Sequence, residues 1–389
     1  MCIRDRVDIG NYEGREQAFI KHFFLKNYIE TLFFRLAERG YNNITYVDGF
    51  SGPWQSNDDK FQDTSFGIAL NAMQKVNAHA KSNGKTVKFT AHLVEEDAKA
   101  YQELAKIPEK YPELSITTYN DDFLQVIEPI SRALKKSNYR FIFIDPKGWK
   151  IDLRKLEPLL SLKNSEVIFN FMFDFINRFT SHPGSSVLES LDLLFPYTEN
   201  WRHQVSECNN AIERKNLIFE LFAQNLGRVG EYEFVSQTEI LKPTKDRALY
   251  ALFFATRHQK GIKEFRQQQV KALRQQSETR GETKIKAKES RTGQTEMFKS
   301  ANEITSNPTE EILQSQRDEA RQFILEIVPK KPDNVLYVNL RLETAKRYIV
   351  KFADINQICN QLKNEKLIEF PNWEEGRKVP HPHYLVQKP

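Results

Sequence analysis

The spacing of apolar positions changes repeatedly along the chain, and each change marks an element. From Arg15 to Arg39, Phe19, Phe23, Leu25, Tyr28, Ile29, Leu32, Phe33 and Leu36 recur every three or four residues, which predicts a helix with one apolar face, and Gly40 supplies its stop. Ile44–Val47 is a short β-branched and aromatic run that ends in Asp48-Gly49-Phe50-Ser51-Gly52-Pro53, a strand entering a glycine-bearing loop. Helical spacing returns over Ser65–Val76, and Val87–Val94 reads as a second strand closing on Glu95-Glu96-Asp97. A helix over Ala98–Lys106, a strand over Ser115–Tyr119, and a helix over Phe123–Lys135 follow. Arg140–Ile144 (RFIFI) and Glu166–Met172 (EVIFNFM) are almost wholly apolar, as strands covered on both faces are, with a helix over Leu153–Leu160 between them. Five strand-then-helix units in succession require crossovers, so they predict an α/β fold: a Rossmann-like, doubly wound parallel sheet.

After Asp174 this rhythm breaks into a helical insertion at about 175–228. Tyr232–Leu241 and Ala248–Thr256 then follow one another with only a Lys-Pro-Thr-Lys-Asp turn between them, which predicts a terminal antiparallel hairpin on the sheet. From Arg257 the sequence turns to Gln, Lys, Arg, Ser and Thr, predicting a helix to Gln276 and then linker. The last block regains pattern, with helices over Glu311–Ile327, Arg341–Tyr348 and Ala353–Lys366 and strands over Leu367–Phe370 and Tyr384–Val386. Helices closing on a small hairpin describe a winged helix-turn-helix. The expected organisation is an α/β domain over 1–258, a basic helix and linker over 259–309, and a winged-helix domain over 310–389.

Composition narrows the class. The 389 residues include 40% hydrophobic and 12% aromatic residues, enough for sizeable cores. No apolar run reaches the ~18 residues of a membrane span and no export signal opens the chain, so a cytoplasmic address is expected without a membrane partner. Met1–Arg6 (MCIRDR) fits nothing downstream and reads as a cloning or assembly remnant. Three scattered cysteines, Cys2, Cys208 and Cys359, make neither a disulfide framework nor a zinc knuckle, and no metal site is expected. The formal net charge of +5 is concentrated: residues 257–299 hold twelve Lys or Arg against five Glu, which leaves the rest slightly acidic. A charged tether and a phosphate-facing arm both have this composition.

The chemistry is expected at the carboxyl ends of the parallel strands, where open sheets bind ligands. Acids stand at all of the first four: Asp48, Glu95, Asp121 with Asp122, and Asp145. A carboxylate ending the second strand suits a ribose diol, and one ending the third suits an exocyclic amine such as that of adenine. The first loop lacks the GxGxxG pattern, and its Asp48 would repel a pyrophosphate while suiting the positively charged amino-acid end of S-adenosylmethionine.

Tyr46–Pro53, His92–Glu95, Phe143–Gly148, Phe254–His258 and the early Lys21-His22 resemble the TcmP family, the three-Cys-motif partner proteins, across most of the chain. That family is similar to class I S-adenosylmethionine-dependent methyltransferases, whose last two strands form an antiparallel hairpin, and its members end in a winged helix. The resemblance implies that Asp48, Gly49, Phe50, Ser51 and Gly52 frame the methionine end of the cofactor, Glu95 its ribose, and Asp121, Asp122 and Phe123 its adenine. It places Asp145-Pro146-Lys147-Gly148 in the slot where amino-methyltransferases acting on nucleic acids carry Asp or Asn-Pro-Pro-aromatic. Here Lys147 replaces the second proline and Trp149 comes one place late, so Asp145, Pro146, Lys147 and Trp149 are catalytic candidates by position and a departure by sequence. The implied partners are nucleic acid, through the winged helix and residues 257–299, and a neighbouring three-Cys-motif protein.

Two other assignments remain open at this stage. The sheet domain is a non-catalytic sensor beside a DNA-binding winged helix, or the chain is an adaptor whose winged helix docks the three-Cys-motif protein. For His22 and the stretch Phe169, Phe171, Phe173, Phe175 and Phe179, packing is the expected role, and His381 and His383, which flank Pro382 without cysteine or carboxylate partners at ligand spacing, are weak metal candidates.

Overall fold

The structure is a computed structural model that describes residues 9–12, 14–52, 56, 61–146, 148, 151–174, 176, 186–292 and 308–389. The chain divides into two compact units, Met1–His258 and Gln259–Pro389.

In the first unit, α1 (Glu16–Glu38) buries Phe19, Leu25, Tyr28, Ile29, Phe33 and Leu36 of the face its spacing predicts, while Phe23 and Leu32 of that face are half-buried and Phe24 is buried instead. The strands β1 (Asn43–Asp48), β2 (Lys88–Val94), β3 (Ser115–Tyr119), β4 (Tyr139–Ile144) and β5 (Ser165–Phe171) lie parallel, alternating with helices that include α2 (Ser65–Ser82), α3 (Ala98–Leu104), α4 (Ile107–Lys110), α5 (Ile127–Leu134) and α6 (Glu157–Leu160). Among the described residues of the insertion are the helices α7 (Ser186–Asp192), α8 (Trp201–Ser206) and α9 (Ala211–Gly230). The hairpin of β6 (Phe234–Leu241) and β7 (Ala248–Thr256) then returns antiparallel against β5, giving the order β3-β2-β1-β4-β5-β7-β6. This is a Rossmann-like sheet with the one reversed strand that the hairpin required.

Every residue of β4 and β5 is buried, which explains their largely apolar runs. Phe169, Phe171 and Phe173 are core: Phe171 and Phe222 have ring centroids 4.3 Å apart, and Phe253 packs edge-on to Phe222 at 4.8 Å. Phe175 and Phe179 lie outside the described residues.

In the second unit the basic segment departs from expectation. It is a single helix, α10 (Gln259–Thr292), running sixteen residues past Gln276, and it is grouped with the C-terminal block rather than standing apart as a tether. The reason is polar burial, which composition cannot show. Arg266 is 3% exposed and donates to the carbonyls of Ala345 (2.8 Å) and Lys346 (2.9 Å), which end α12 (Tyr337–Arg347), while burial pushes its guanidinium down to about 9. Arg274 forks onto Glu310 of α11 (Pro308–Ile327) at 2.6 and 3.0 Å. Gln268, Gln269, Gln276 and Thr279 are buried as well. The part of the expected linker over 293–307 lies outside the described residues.

After α11 come β8 (Val335–Leu336), α12, α13 (Phe352–Asn364) and β9 (Leu385–Val386), with β8 antiparallel to β9. The expected hairpin is reduced to one bridge, Glu369 with Gln387, because Pro371, Pro380 and Pro382 interrupt the backbone donors of the intervening loop. Aromatic packing closes that loop instead: Trp373 meets Phe370 and Tyr384 at 5.3 and 5.6 Å, and Lys363 Nζ lies 3.7 Å from the Trp373 ring centroid. No helix among the described residues is long and apolar enough to cross a membrane.

Candidate functional site

The strand order reverses between β1 and β4, and a crevice opens outside their carboxyl ends. The loop after β1 is stitched to both neighbours. Gly49 N donates to Phe143 O of β4 at 3.1 Å, and Ser51 N donates to Val94 O of β2 at 2.7 Å. A Cβ on Gly49 would stand 2.8 Å from two carbons of the Phe123 ring, so the backbone approaches that ring closer than any side chain permits. Phe50 packs edge-on to the same ring at 5.6 Å.

These residues form one wall of a cavity of about 310 Å³ lined by Gly49, Phe50, Glu95, Asp121, Asp122, Phe123 and Pro146, together with Val94, Glu96, Leu124 and Ile151. Glu95 is 3% exposed, and its Oε1 accepts from Asp97 N at 2.8 Å. Asp121 and Asp122 are exposed at the rim, accepting from the backbone N–H groups of Asp122 (2.8 Å) and Leu124 (2.7 Å). Phe123 is buried beneath them.

Asp48 stands apart from this lining. It is fully buried, and its carboxylate accepts from Tyr46 Oη (2.9 Å), Phe50 N (3.1 Å) and Ser65 Oγ at the start of α2 (2.6 Å). Burial raises its carboxyl from 3.8 to about 6 against those three donors, and pushes the Tyr46 hydroxyl well above its ordinary range. A side chain so enclosed braces the loop from behind and does not face a ligand. Ser51 and Gly52 are likewise buried outside the lining, with Ser51 Oγ donating to Asp48 O at 3.0 Å.

At the end of β4, Asp145 is partly exposed. Its Oδ2 accepts from Lys21 Nζ of α1 and its Oδ1 from Asn170 Nδ2 of β5. Pro146 continues from Asp145 into the cavity wall. Lys147 and Trp149 lie outside the described residues. Neither Lys21 nor Asn170 stands out in the sequence as a partner of Asp145; the one signal for Asn170 is an amide within the apolar stretch that follows Glu166. His22 points elsewhere, sharing a 2.9 Å hydrogen bond with Tyr12 Oη, and burial lowers its pKa well below the usual range, with Lys21 and Arg15 adding to the effect.

A larger hollow, about 620 Å³, lies at the opposite end of the strands beside Tyr41, Lys135, Arg140 and Lys163. Arg140 spends its guanidinium on the carbonyls of Leu134 and Lys163, at 2.9 and 2.6 Å, so its charge braces the backbone. The smaller cavity carries the convergent polar groups and the topological crevice.

No protein-family model matches the chain, and no curated protein matches it in sequence. Among solved structures it is similar to protein LPL1258 from Legionella pneumophila, at 10% identity and a TM-score of 0.35, over 60% of this chain and 84% of that one. It is also similar to human methyltransferase-like protein 13, solved in complex with SAH, at 12% identity and a TM-score of 0.27, over 68% and 91%. At such scores the fold assignment rests on the strand order itself.

Proposed function

We propose that the first unit is an S-adenosylmethionine-dependent methyltransferase domain of the three-Cys-motif partner type, acting on or with nucleic acid. The observation that carries this reading is the cavity at the β1/β4 crossover, where a close-approach glycine, a strand-ending carboxylate and an acid-acid-aromatic corner converge. Its volume is at the lower end of the ~300–1,000 Å³ of ligand sites, room for a nucleoside. Phe123 and Phe50 offer ring faces to an adenine, Glu95 a carboxylate to a ribose, and Asp121 and Asp122 acceptors to an exocyclic amine. When bound, the cofactor supplies an electrophilic methyl group; the protein's part is to orient it beside Pro146 and Asp145 and to exclude water. Asp48 contributes by holding the loop.

Titration of S-adenosylmethionine and S-adenosylhomocysteine by calorimetry tests the assignment. The expected result is micromolar binding that Glu95→Ala weakens about tenfold, the scale of a hydrogen bond to a charged group. No binding by the wild-type protein would sink it.

A second reading makes the C-terminal unit the working part, as a nucleic-acid-binding or adaptor module that docks a neighbouring three-Cys-motif protein. The helix-strand-helix-helix order with β8 paired to β9 supports a winged helix there, and the engagement of Asp145 by Lys21 favours a non-catalytic first unit. Nucleic-acid affinity that barely responds to salt would count against phosphate contacts in either reading. Failure to co-purify with the co-expressed three-Cys-motif protein would remove the adaptor.

A further inference from the structure

The amino-terminal edge of the sheet, opposite the cofactor crevice, gathers positive charge. The loops entering β1, β4 and β5 line the hollow of about 620 Å³ with Tyr41, Asn42, Lys135, Asn138, Arg140 and Lys163, and no carboxylate is in its lining. Lys136 stands beside Lys135, Lys88 opens β2 opposite Asn43, Lys85 precedes it, and Arg39 follows α1. Apart from Arg140, these cations are exposed, and none has an ion-pair partner among the described residues. Elsewhere in the unit Lys75, Lys106 and Lys215 each meet a glutamate. Two exposed acids, Glu38 and Glu113, stand beside the row; Glu166, buried on β5, is taken by Tyr28 Oη and Thr256 Oγ1 at 2.7 and 2.9 Å.

Cations at this edge could serve simply to offset the partial negative charge of the helix ends there. In the hollow that task is performed from beneath. Arg140, 7% exposed, donates to Leu134 O at the end of α5 through Nε and Nη2 (2.9 and 2.7 Å) and to Lys163 O through Nη1 (2.6 Å). Arg257 donates to the carbonyls of Leu160 and Leu162 at 2.7 and 3.1 Å. The carbonyls that would repel an anion are already answered, and the exposed Lys135 and Lys163 remain in excess.

We propose that this edge is an anchoring surface for single-stranded nucleic acid, with Lys135 and Lys163 on its phosphates and Tyr41 under a base. This deepens the nucleic-acid part of the reading above and is independent of its cofactor part. The cations front four adjacent strands, β2, β1, β4 and β5, a row about 14 Å wide at the ~4.8 Å strand spacing, which fits an extended polyanion better than one phosphate. Half-buried Tyr41 supplies an aromatic ring, and the exposed amides of Asn42, Asn138 and Asn164 can donate to or accept from any base edge, a sequence-tolerant combination. An anionic bilayer fits less well: Ile212, the large exposed apolar side chain among the described residues of this unit, is at the start of α9 and not at this edge.

The test measures binding of fluorescein-labelled single-stranded dT12 to the full-length protein across a salt series, without cofactor. Lys135→Gln/Lys163→Gln should weaken binding about tenfold at 0.1 M salt and reduce the slope of log K against log salt by about 1.4, two phosphate contacts' worth. Tyr41→Leu should weaken it at least about fivefold and leave the slope unchanged. The control Lys99→Gln/Lys106→Gln removes equal charge elsewhere in the unit and should change affinity less than about twofold. Three outcomes overturn the proposal while leaving nucleic-acid binding intact: edge variants that bind like the wild type, a control that loses as much, or lowered unfolding stability with unchanged affinity, which would make the lysines helix-end counter-charges. Loss of binding to phosphatidylserine vesicles but not to dT12 also overturns it. A wild type that does not bind dT12 removes the nucleic-acid part of the parent reading as well, whereas failure to bind S-adenosylhomocysteine touches only the cofactor part.

Discussion

Asp48 ends β1 and Asp145 follows β4, on strands that pair directly, with Asp48 opposite Phe143. Asp48 is wholly enclosed, takes three hydrogen bonds from Tyr46, Phe50 and Ser65, and has its carboxyl raised to about 6 by burial. Asp145 keeps a fifth of its side chain exposed and is matched by a lysine from α1 and an amide from β5. One residue type in one sheet thus serves two purposes. At β1 the carboxylate organises backbone so that Gly49 can approach Phe123; at β4 it joins Lys21 of α1 to Asn170 of β5 and keeps part of its surface exposed. A strand-ending acid is a ligand-facing group only where its own loop does not consume it.

That contrast is broken most severely by Asp48→Ala, which leaves the Tyr46 hydroxyl, the Ser65 hydroxyl and the Phe50 N–H without their acceptor. The expected loss is about 4 kcal/mol of unfolding free energy by chemical denaturation. A loss below about 1 kcal/mol would show that Asp48 is not the brace described.

Asp48→Asn sharpens the same point through pH. A carboxyl raised from 3.8 to about 6 in the folded state releases its proton later there than in the unfolded chain. Between these values the folded state binds more protons, so the contribution of Asp48 to stability falls as pH rises from about 4 to 6, by at most about 3 kcal/mol. Below pH 4 the difference vanishes, and above 6 it is constant. The asparagine variant lacks this slope, so its stability relative to the wild type should climb through that window. Parallel pH profiles would contradict the burial argument.

The sequence exposed the backbone plan more fully than the side-chain plan, for physical reasons. β3 and β7 match their expected bounds residue for residue, and the parallel sheet with one reversed strand follows from crossovers and a hairpin, because burial on both faces and on one face leave different periodicities. The convergence of Gly49, Glu95 and Phe123 on one cavity follows from strand ends alone. The direction of the Asp48 side chain does not, because it depends on a hydroxyl from α2, seventeen residues on. Lys21 meets Asp145 across 124 positions, a pairing that no local pattern encodes. α10 extends beyond the expected Gln276 because buried Gln268, Gln269 and Gln276 have the composition of solvated chain. The asparagine of β5 is not marked by the apolar reading of its run, and neither is its partner.

A third perturbation acts on the product of the brace rather than the brace itself. Gly49→Val forces atoms into the Phe123 ring, where a Cβ alone would be 2.8 Å away. Overpacking of this kind costs about 1–3 kcal/mol, and displacement of Phe123 or of the loop should abolish measurable binding of S-adenosylhomocysteine. Unchanged cofactor affinity would mean that the loop and ring do not form the binding wall.

The smallest effect is expected at Asp145, and it decides whether the two acids differ in kind. Asp145→Asn removes the negative charge but keeps an oxygen able to accept from Lys21 Nζ or Asn170 Nδ2, and both ion-pair partners are already partly in contact with water. With 14% and 20% of the two side chains exposed, the pair is only partly screened by solvent, so unfolding free energy should change by about 1 kcal/mol, well below the loss at Asp48→Ala. Pro146, which lines the cavity, is untouched, so affinity for S-adenosylhomocysteine should remain within about twofold, well under 1 kcal/mol. A destabilisation as large as that of Asp48→Ala would make Asp145 a second brace and remove the contrast between the two acids. Retained stability with retained cofactor binding leaves its carboxylate as a group whose value to the protein lies in what it meets from outside.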